Sequence, residues 1–315
     1  MSSSFRSVAV AGAGAVGSYF GAMLARAGQR VTLIGRAPHV AAIERDGLRV
    51  HKGGTVEVVR LQASTELAVV RGADLVLFCV KSTDTEAVGR SIAPHLRPDA
   101  LVLSLQNGVD NAAALARIVP CDVVPAAVYV ATALPAPGVV EHFGRGDLVI
   151  GPMNAAQAND AKLAQRLQAV VELFAAAGVP VTVSPDVMVE LWSKLMVNCA
   201  YNAISGLAQL PYGAMAGVPE VVELQRAVVH EVVAVANADG VRLDLEASLQ
   251  AMARIATAMP AQLSSTAQDM ARGKRSEIDH LNGAVVRRGA ALGVPTPANQ
   301  ALYALVRLVE AGQAS

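Results

Sequence analysis

The stretch Ser7-Val8-Ala9-Val10-Ala11-Gly12-Ala13-Gly14-Ala15-Val16-Gly17-Ser18 decides how this chain folds. Ser7–Ala11 reads as a strand. Three glycines at G-x-G-x-x-G spacing follow without a gap, and an apolar helical pattern over Val16–Ala27 starts inside the motif. Gly12 allows the tight turn, Gly14 lets the backbone come close to a pyrophosphate, and Gly17 lets the helix lie against the strand. The N–H groups of Ala15 and Val16 open the helix at the positive end of its dipole, which suits phosphate oxygens. The stretch therefore predicts a dinucleotide-binding βαβ unit; a plain strand-to-helix turn is the other reading.

Working outward, Arg30–Ile34 reads as a second strand that runs into Gly35-Arg36. A site for NAD usually has an acidic residue here to hold the ribose hydroxyls. An arginine can instead fork onto a 2′-phosphate, so Arg36 predicts NADP(H) over NAD(H), against the alternative of a solvated surface arginine. Further strand-like runs follow at Leu75–Val80, read as the third strand, then Leu101–Leu105 and Val123–Val130. Strands alternating with helical stretches imply a mostly parallel, doubly wound sheet covered on both faces. Val139–His142 and Leu148–Gly151 read as a closing hairpin with Gly144 and Gly146 in its turn. A helix over Ala158–Ala177 leads to a last strand-like run, Pro180–Ser184. Beyond Pro185 the pattern becomes amphipathic and helical: Asp186–Leu207, Val218–Ala238, Leu245–Met259 and Arg275–Leu292. The expected organisation is an α/β cofactor domain over 1–184 and an all-α substrate-binding domain over 185–315.

Composition narrows the function classes. The 315 residues are 53% hydrophobic and carry a formal net charge of zero, which offers no electrostatic case for nucleic acid or an anionic membrane. Val123–Val140 is uncharged and nearly long enough for a membrane span, but Pro125, Pro135, Pro137 and Gly138 break helices, and buried strand suits it better. The start, Met1-Ser2-Ser3-Ser4-Phe5-Arg6, holds nothing that reads as a removable leader. Three widely spaced cysteines (Cys79, Cys121, Cys199) favour a reduced, cytoplasmic protein. Six histidines without metal-ligand spacing give no reason to expect a metal. The apolar second half would suit a homodimer.

The second half holds the other chemical signal. Lys194, Asn198 and Asn202 stand at i, i+4 and i+8, on one face of a helix whose other residues are mostly apolar. One cation and two amides in apolar surroundings need polar partners. A carbonyl substrate with a carboxylate would be one; a domain or subunit interface would be another.

Together with Cys79-Val80-Lys81, Gln106-Asn107-Gly108, Ser264-Ser265-Thr266-Ala267-Gln268-Asp269 and Glu277-Ile278-Asp279-His280-Leu281-Asn282-Gly283, in that order along nearly the whole chain, this pattern resembles the ketopantoate reductases. The resemblance implies a Rossmann domain joined to an all-helical domain, with the active site in the cleft. It implies reduction of ketopantoate to pantoate with NADPH, on the route to pantothenate and coenzyme A. By the same resemblance Lys194 would be the general acid at the ketone oxygen, and Glu277 the carboxylate that orients substrate and engages the lysine. Asn198 and Asn202 would hydrogen-bond substrate, and Ser265 would bind its carboxylate. Arg36 would hold the 2′-phosphate, Asn107 would contact the cofactor ribose and the substrate side, and Lys81 would lie near the cofactor or substrate.

Taken singly, these residues have plainer readings: Glu277 as a surface partner of Lys274 or Arg275, Ser265 as a helix cap, Asn107-Gly108 as a turn, and Lys81 as a solvated strand end. The chain also departs from the family. Where some members place a further substrate-binding asparagine, this one has Tyr212. That leaves open a reductase of another 2-keto acid and, in a different class, a non-catalytic NADP(H)-binding regulator.

Overall fold

A computed structural model describes residues 5–313. Met1–Ser4, on which the reading of a leaderless start partly rests, lie outside the described residues. The chain divides into two compact units, one of residues 1–106 and 110–187, the other of residues 107–109 and 188–315.

The first unit is built on one sheet. β1 (Ser7–Ala11), α1 (Ala15–Arg26) and β2 (Arg30–Ile34) form the opening βαβ unit, followed by α2 (Ala37–Asp46). β3 (Leu48–Lys52), β4 (Thr55–Val59) and β5 (Gln62–Ser64) come next, then β6 (Leu75–Phe78), α3 (Thr85–Ile92), β7 (Leu101–Ser104) and α4 (Asn111–Ala116). Two long strands, β8 (Asp122–Ala136) and β9 (Val139–Ile150), precede α5 (Ala155–Ala158), α6 (Ala161–Ala176) and β10 (Val181–Val183). The strand order is β4-β3-β9-β8-β7-β6-β1-β2-β5, with β10 on β9. From β5 to the start of β8 neighbouring strands are parallel, and β1 lies between β2 and β6, with Val10 beside Leu33 and Leu77. β1, β6 and β7 are buried along their whole length, so alternate residues feed two cores. Val8, Val10, Leu75 and Leu77 pack with Phe20 of α1 and Leu167 of α6; Ala9, Ala11, Val76 and Phe78 pack with Ile92 and Leu115 on the other face. This is a Rossmann-type α/β unit.

The hairpin differs from the sequence reading. β9 is one continuous strand, and its turn with β8 lies at Pro137-Gly138. Gly144 and Gly146 sit inside β9, where the pairing with β8 shifts register. A Cβ at Gly146 would stand 2.7 Å from the Tyr19 hydroxyl. That glycine marks a bulge under a close-packed ring, which sequence alone does not separate from a turn. The run at Leu75 is the sixth strand and not the third, because β3, β4 and β5 precede it. No helix among the described residues is long and apolar enough to cross a membrane.

The second unit is helical: α7 (Val187–Ala208), α8 (Tyr212–Met215), α9 (Pro219–Ala238), α10 (Leu245–Ala258), α11 (Ser265–Ala271), α12 (Asn282–Leu292) and α13 (Pro297–Gln313). Trp192 and Tyr201 of α7 and Val228, Val229 and Val232 of α9 are buried. The expected Arg275–Leu292 helix is broken, since a 3-10 turn over Ile278–His280 precedes α12.

Candidate active site

The glycine loop shows which glycines the protein needs for itself. Gly12 has φ +101°, and a Cβ there would lie 2.7 Å from the Cys79 carbonyl carbon and the Val80 nitrogen. A Cβ at Gly17 would collide with the Gly12 carbonyl oxygen and lie 2.9 Å from Val10 Cγ1. Around Gly14, by contrast, nothing comes within 4 Å of an added Cβ. Two glycines thus serve internal packing and the third faces open room. The Gly12 and Ala13 N–H groups donate to the Ile34 carbonyl (3.1 and 2.8 Å), which ties the loop to the end of β2. α1 starts with no acidic residue and no side-chain cap, so the N–H groups of Ala15, Val16 and Gly17 remain those of an uncapped helix start. A pyrophosphate fits this cradle by charge and by room.

Gly35-Arg36 packs directly on that loop. A Cβ at Gly35 would stand 2.9 Å from the Ala13 Cβ, so an acidic side chain has no place at this position. Arg36 is exposed at the N-cap of α2, whose first turn carries no acidic residue. Three residues on, His39 is buried. The Gly138 N–H donates to its Nδ1 (2.9 Å), which makes Nδ1 the acceptor and puts the ring hydrogen on Nε2. Nε2 lies 3.1 Å from Ser18 Oγ, and Ser18 Oγ donates to the Ala13 carbonyl (3.3 Å). Burial lowers the His39 pKa, which favours this neutral ring. The hairpin turn, α2 and the glycine loop are thereby joined by one buried relay. Lys81 is half-buried just after β6, at the start of the 3-10 turn Ser82–Asp84.

In the helical unit, α7 presents Lys194, Asn198 and Asn202 on one face. Lys194 Nζ donates to Asn107 Oδ1 (3.0 Å), and Asn107 Nδ2 donates to Glu277 Oε2 (3.3 Å). The asparagine amide thus joins cation and carboxylate, each end offering the polarity its partner needs. Asn107 belongs to this unit by its contacts, as do Gly108 and Val109.

Gln106, one residue earlier, is buried. Its amide donates to the Val80 carbonyl (3.1 Å) and Thr85 Oγ1 (2.7 Å), and its oxygen accepts from Ser104 Oγ (3.0 Å). Asn111 extends the set by donating to Ser82 Oγ (3.1 Å). This network fixes the chain where it enters Asn107. The Gln-Asn-Gly motif contains the signal for it, a glutamine two residues beyond a buried strand.

Asn198 is half-buried, while Asn202 is buried and accepts at Oδ1 from the Tyr212 hydroxyl (3.4 Å). Burial, and then the neighbouring Tyr201, raise the Tyr212 pKa, so its hydroxyl stays a donor. Ser265 is exposed, the first residue of α11. The cap is Ser264, whose hydroxyl accepts from the Ala267 N–H (3.0 Å) and donates to the Asn202 carbonyl (3.2 Å). The reading of Ser265 as a helix cap therefore moves to its neighbour.

Two family models match the chain: "Ketopantoate reductase PanE/ApbA" over residues 8–155 and "Ketopantoate reductase PanE/ApbA C terminal" over residues 186–310. A 2-dehydropantoate 2-reductase of Halobacterium salinarum is 37% identical over 306 residues, covering 96% of this chain and 98% of its own. A crystal structure of a PanE/ApbA family ketopantoate reductase from Ralstonia eutropha is 53% identical with TM-score 0.90, covering 98% of this chain and all of that one. A ternary structure of D-mandelate dehydrogenase with NADH and anilino(oxo)acetate is 25% identical with TM-score 0.91, at the same coverage. By both halves of its sequence, the chain belongs to the ketopantoate reductase family.

Proposed function

We propose that this protein reduces ketopantoate to (R)-pantoate with NADPH, in pantothenate and coenzyme A biosynthesis. The observation that carries the reading is the row Lys194–Asn107–Glu277. Reduction of a 2-keto acid places a hydride on the carbonyl carbon and a proton on its oxygen, and bound NADPH is the hydride source. Negative charge grows on that oxygen, and an ammonium stabilises it and gives the proton. Asn107 accepts from the Lys194 ammonium at Oδ1 and donates to Glu277 from Nδ2, so both keep a set orientation. Asn198 and Asn202 follow Lys194 along the same face and offer amides to the substrate, with Ser265 as the partner of its carboxylate. For the cofactor, Gly12, Gly14, Ala15, Val16 and Gly17 would hold the pyrophosphate, Arg36 the 2′-phosphate, and Lys81 the nucleotide's near side. The reading includes a cytoplasmic homodimer, which size-exclusion chromatography with light scattering checks.

Steady-state rates with ketopantoate and each of NADPH and NADH test substrate and cofactor together. NADPH should be strongly preferred, and Arg36→Ala should raise its KM about 10-fold or more while barely changing NADH use. Equal effects on both cofactors would remove Arg36 from the phosphate.

A second reading, reduction of a different 2-keto acid, is favoured by Tyr212 and by the likeness to a dehydrogenase solved with anilino(oxo)acetate. A panel of 2-keto acids separates the two. Ketopantoate turning over no faster than simple 2-keto acids would overturn the first.

A further inference from the structure

We infer that Glu310, near the end of the last helix, is a positioning residue for Glu277, acting through Ser276. The inference rests on the reading of Glu277 as part of the reaction site.

Glu277 does not stand on a long helix. It sits at the N-cap of the three-residue 3-10 turn Ile278–His280, a segment that neighbours must hold in place. The hold comes from α13 on both sides. Ser276 is buried, and both its N–H (2.7 Å) and its hydroxyl (2.6 Å) donate to Glu310 Oε1. The Ile278 N–H in turn donates to Ser276 Oγ (3.3 Å). On the far side, Asp279 accepts from the Tyr303 hydroxyl (2.7 Å) and from Arg307 Nη1 (2.8 and 3.0 Å). Tyr303, Arg307 and Glu310 follow at spacings of four and three, so one face of α13 brackets Glu277 at residues 276 and 279.

The charge on Glu310 calls for a reason. Its side chain is only 8% exposed, its Oε2 is buried without a hydrogen bond, and Arg307 Nε stands 4.0 Å away. Its two hydrogen bonds both come from Ser276 and both end on Oε1, so the carboxyl is tied to the very segment it holds. Two strong donors from one residue make it a good clamp on the backbone that carries Glu277. Displacing a site group by about 1 Å can cost about 100-fold in rate.

The test is a double-mutant cycle on the full chain, with NADPH and whichever 2-keto acid of the panel turns over fastest. Glu310→Ala should lower kcat about 10- to 100-fold while NADPH affinity, read by nucleotide fluorescence, changes less than about twofold. Glu310→Gln keeps an oxygen acceptor and should restore kcat to within about threefold. In a Glu277→Gln background, Glu310→Ala should cost less than about twofold more, because its effect passes through Glu277. The same fold-loss in both backgrounds would overturn the inference, as would a wild-type kcat for Glu310→Ala beside an impaired Glu277→Gln. An unimpaired Glu277→Gln would instead overturn the role of Glu277 itself, and the inference with it. Should Glu310→Ala not fold, Ser276→Ala, which deletes one of the two donors, runs the same cycle.

Discussion

Lys194 is a half-buried cation whose ammonium meets an amide oxygen. Lysine has three donors, and a bond to Asn107 orients the group without neutralising it. In the proposed reaction that oriented ammonium is the proton donor. Lys194→Ala should therefore lower kcat by about 100- to 10,000-fold while leaving NADPH affinity nearly intact. A single-turnover assay beside a binding titration reads both, and retained turnover would remove the lysine from the chemistry. The candidate site is legible in part, because Lys194, Asn198 and Asn202 repeat every four positions and the structure places all three in α7. What one sequence could not show was that Asn107 lies between Lys194 and Glu277. The partners of Asn107 stand 87 and 170 positions away along the chain, and only the fold brings them together.

At the scale of elements, the opening strands are legible in the sequence to the residue: Ser7–Ala11 and Arg30–Ile34 match β1, buried throughout, and β2, buried at Val31, Leu33 and Ile34. β1 is a run of valine and alanine that ends on a glycine turn, and β2 gathers Val31, Thr32, Leu33 and Ile34 before Gly35, which leaves little choice of structure. β4 is not legible in the sequence, because four of its five residues are exposed and no buried face imprints a pattern on Thr55–Val59. α11 and α13 are faint in the sequence for a related reason. α11 has only seven residues, and the buried residues of α13 reduce to Asn299, Leu302 and Val306, a narrow stripe. The helix that brackets Glu277 thus leaves one of the weakest patterns in the chain. The union of α1 with β1 yields a paired prediction. Gly17→Ala should cost about 1–3 kcal/mol of stability, since its methyl meets the Gly12 carbonyl and Val10. Gly14→Ala, with φ −77° and open space around it, should change stability by less than about 0.5 kcal/mol yet weaken NADPH binding strongly. Thermal melts and nucleotide titrations on both variants check the contrast; equal stability losses would contradict it.

For the molecule as a whole, the two buried histidines contribute to how stability responds to mild acid. Burial lowers the pKa of His39, and burial first, against a backbone hydrogen bond, also lowers that of His142. As pH falls below about 6.5 the unfolded chain takes up these protons before the folded one does. Stability is then fully present above that pH and is lost as pH falls toward the depressed folded values. The melting temperature should drop from pH 7.5 to 5.5, and His39→Gln should flatten part of that slope. An unchanged slope would show that the neutral ring bound to Gly138 and Ser18 has no thermodynamic weight.

Residues 107–109 lie in sequence inside the first unit and by their contacts inside the second. The chain therefore passes between its units three times. This bears on inheritance. The helical half, cut out and joined to a foreign nucleotide-binding half, would arrive without the asparagine that its own lysine grips. A recombination event at residue 187 would transmit a lysine helix and lose its partner. The two halves can diverge in lineage only if the short loop after the fifth parallel strand travels with the helices it serves.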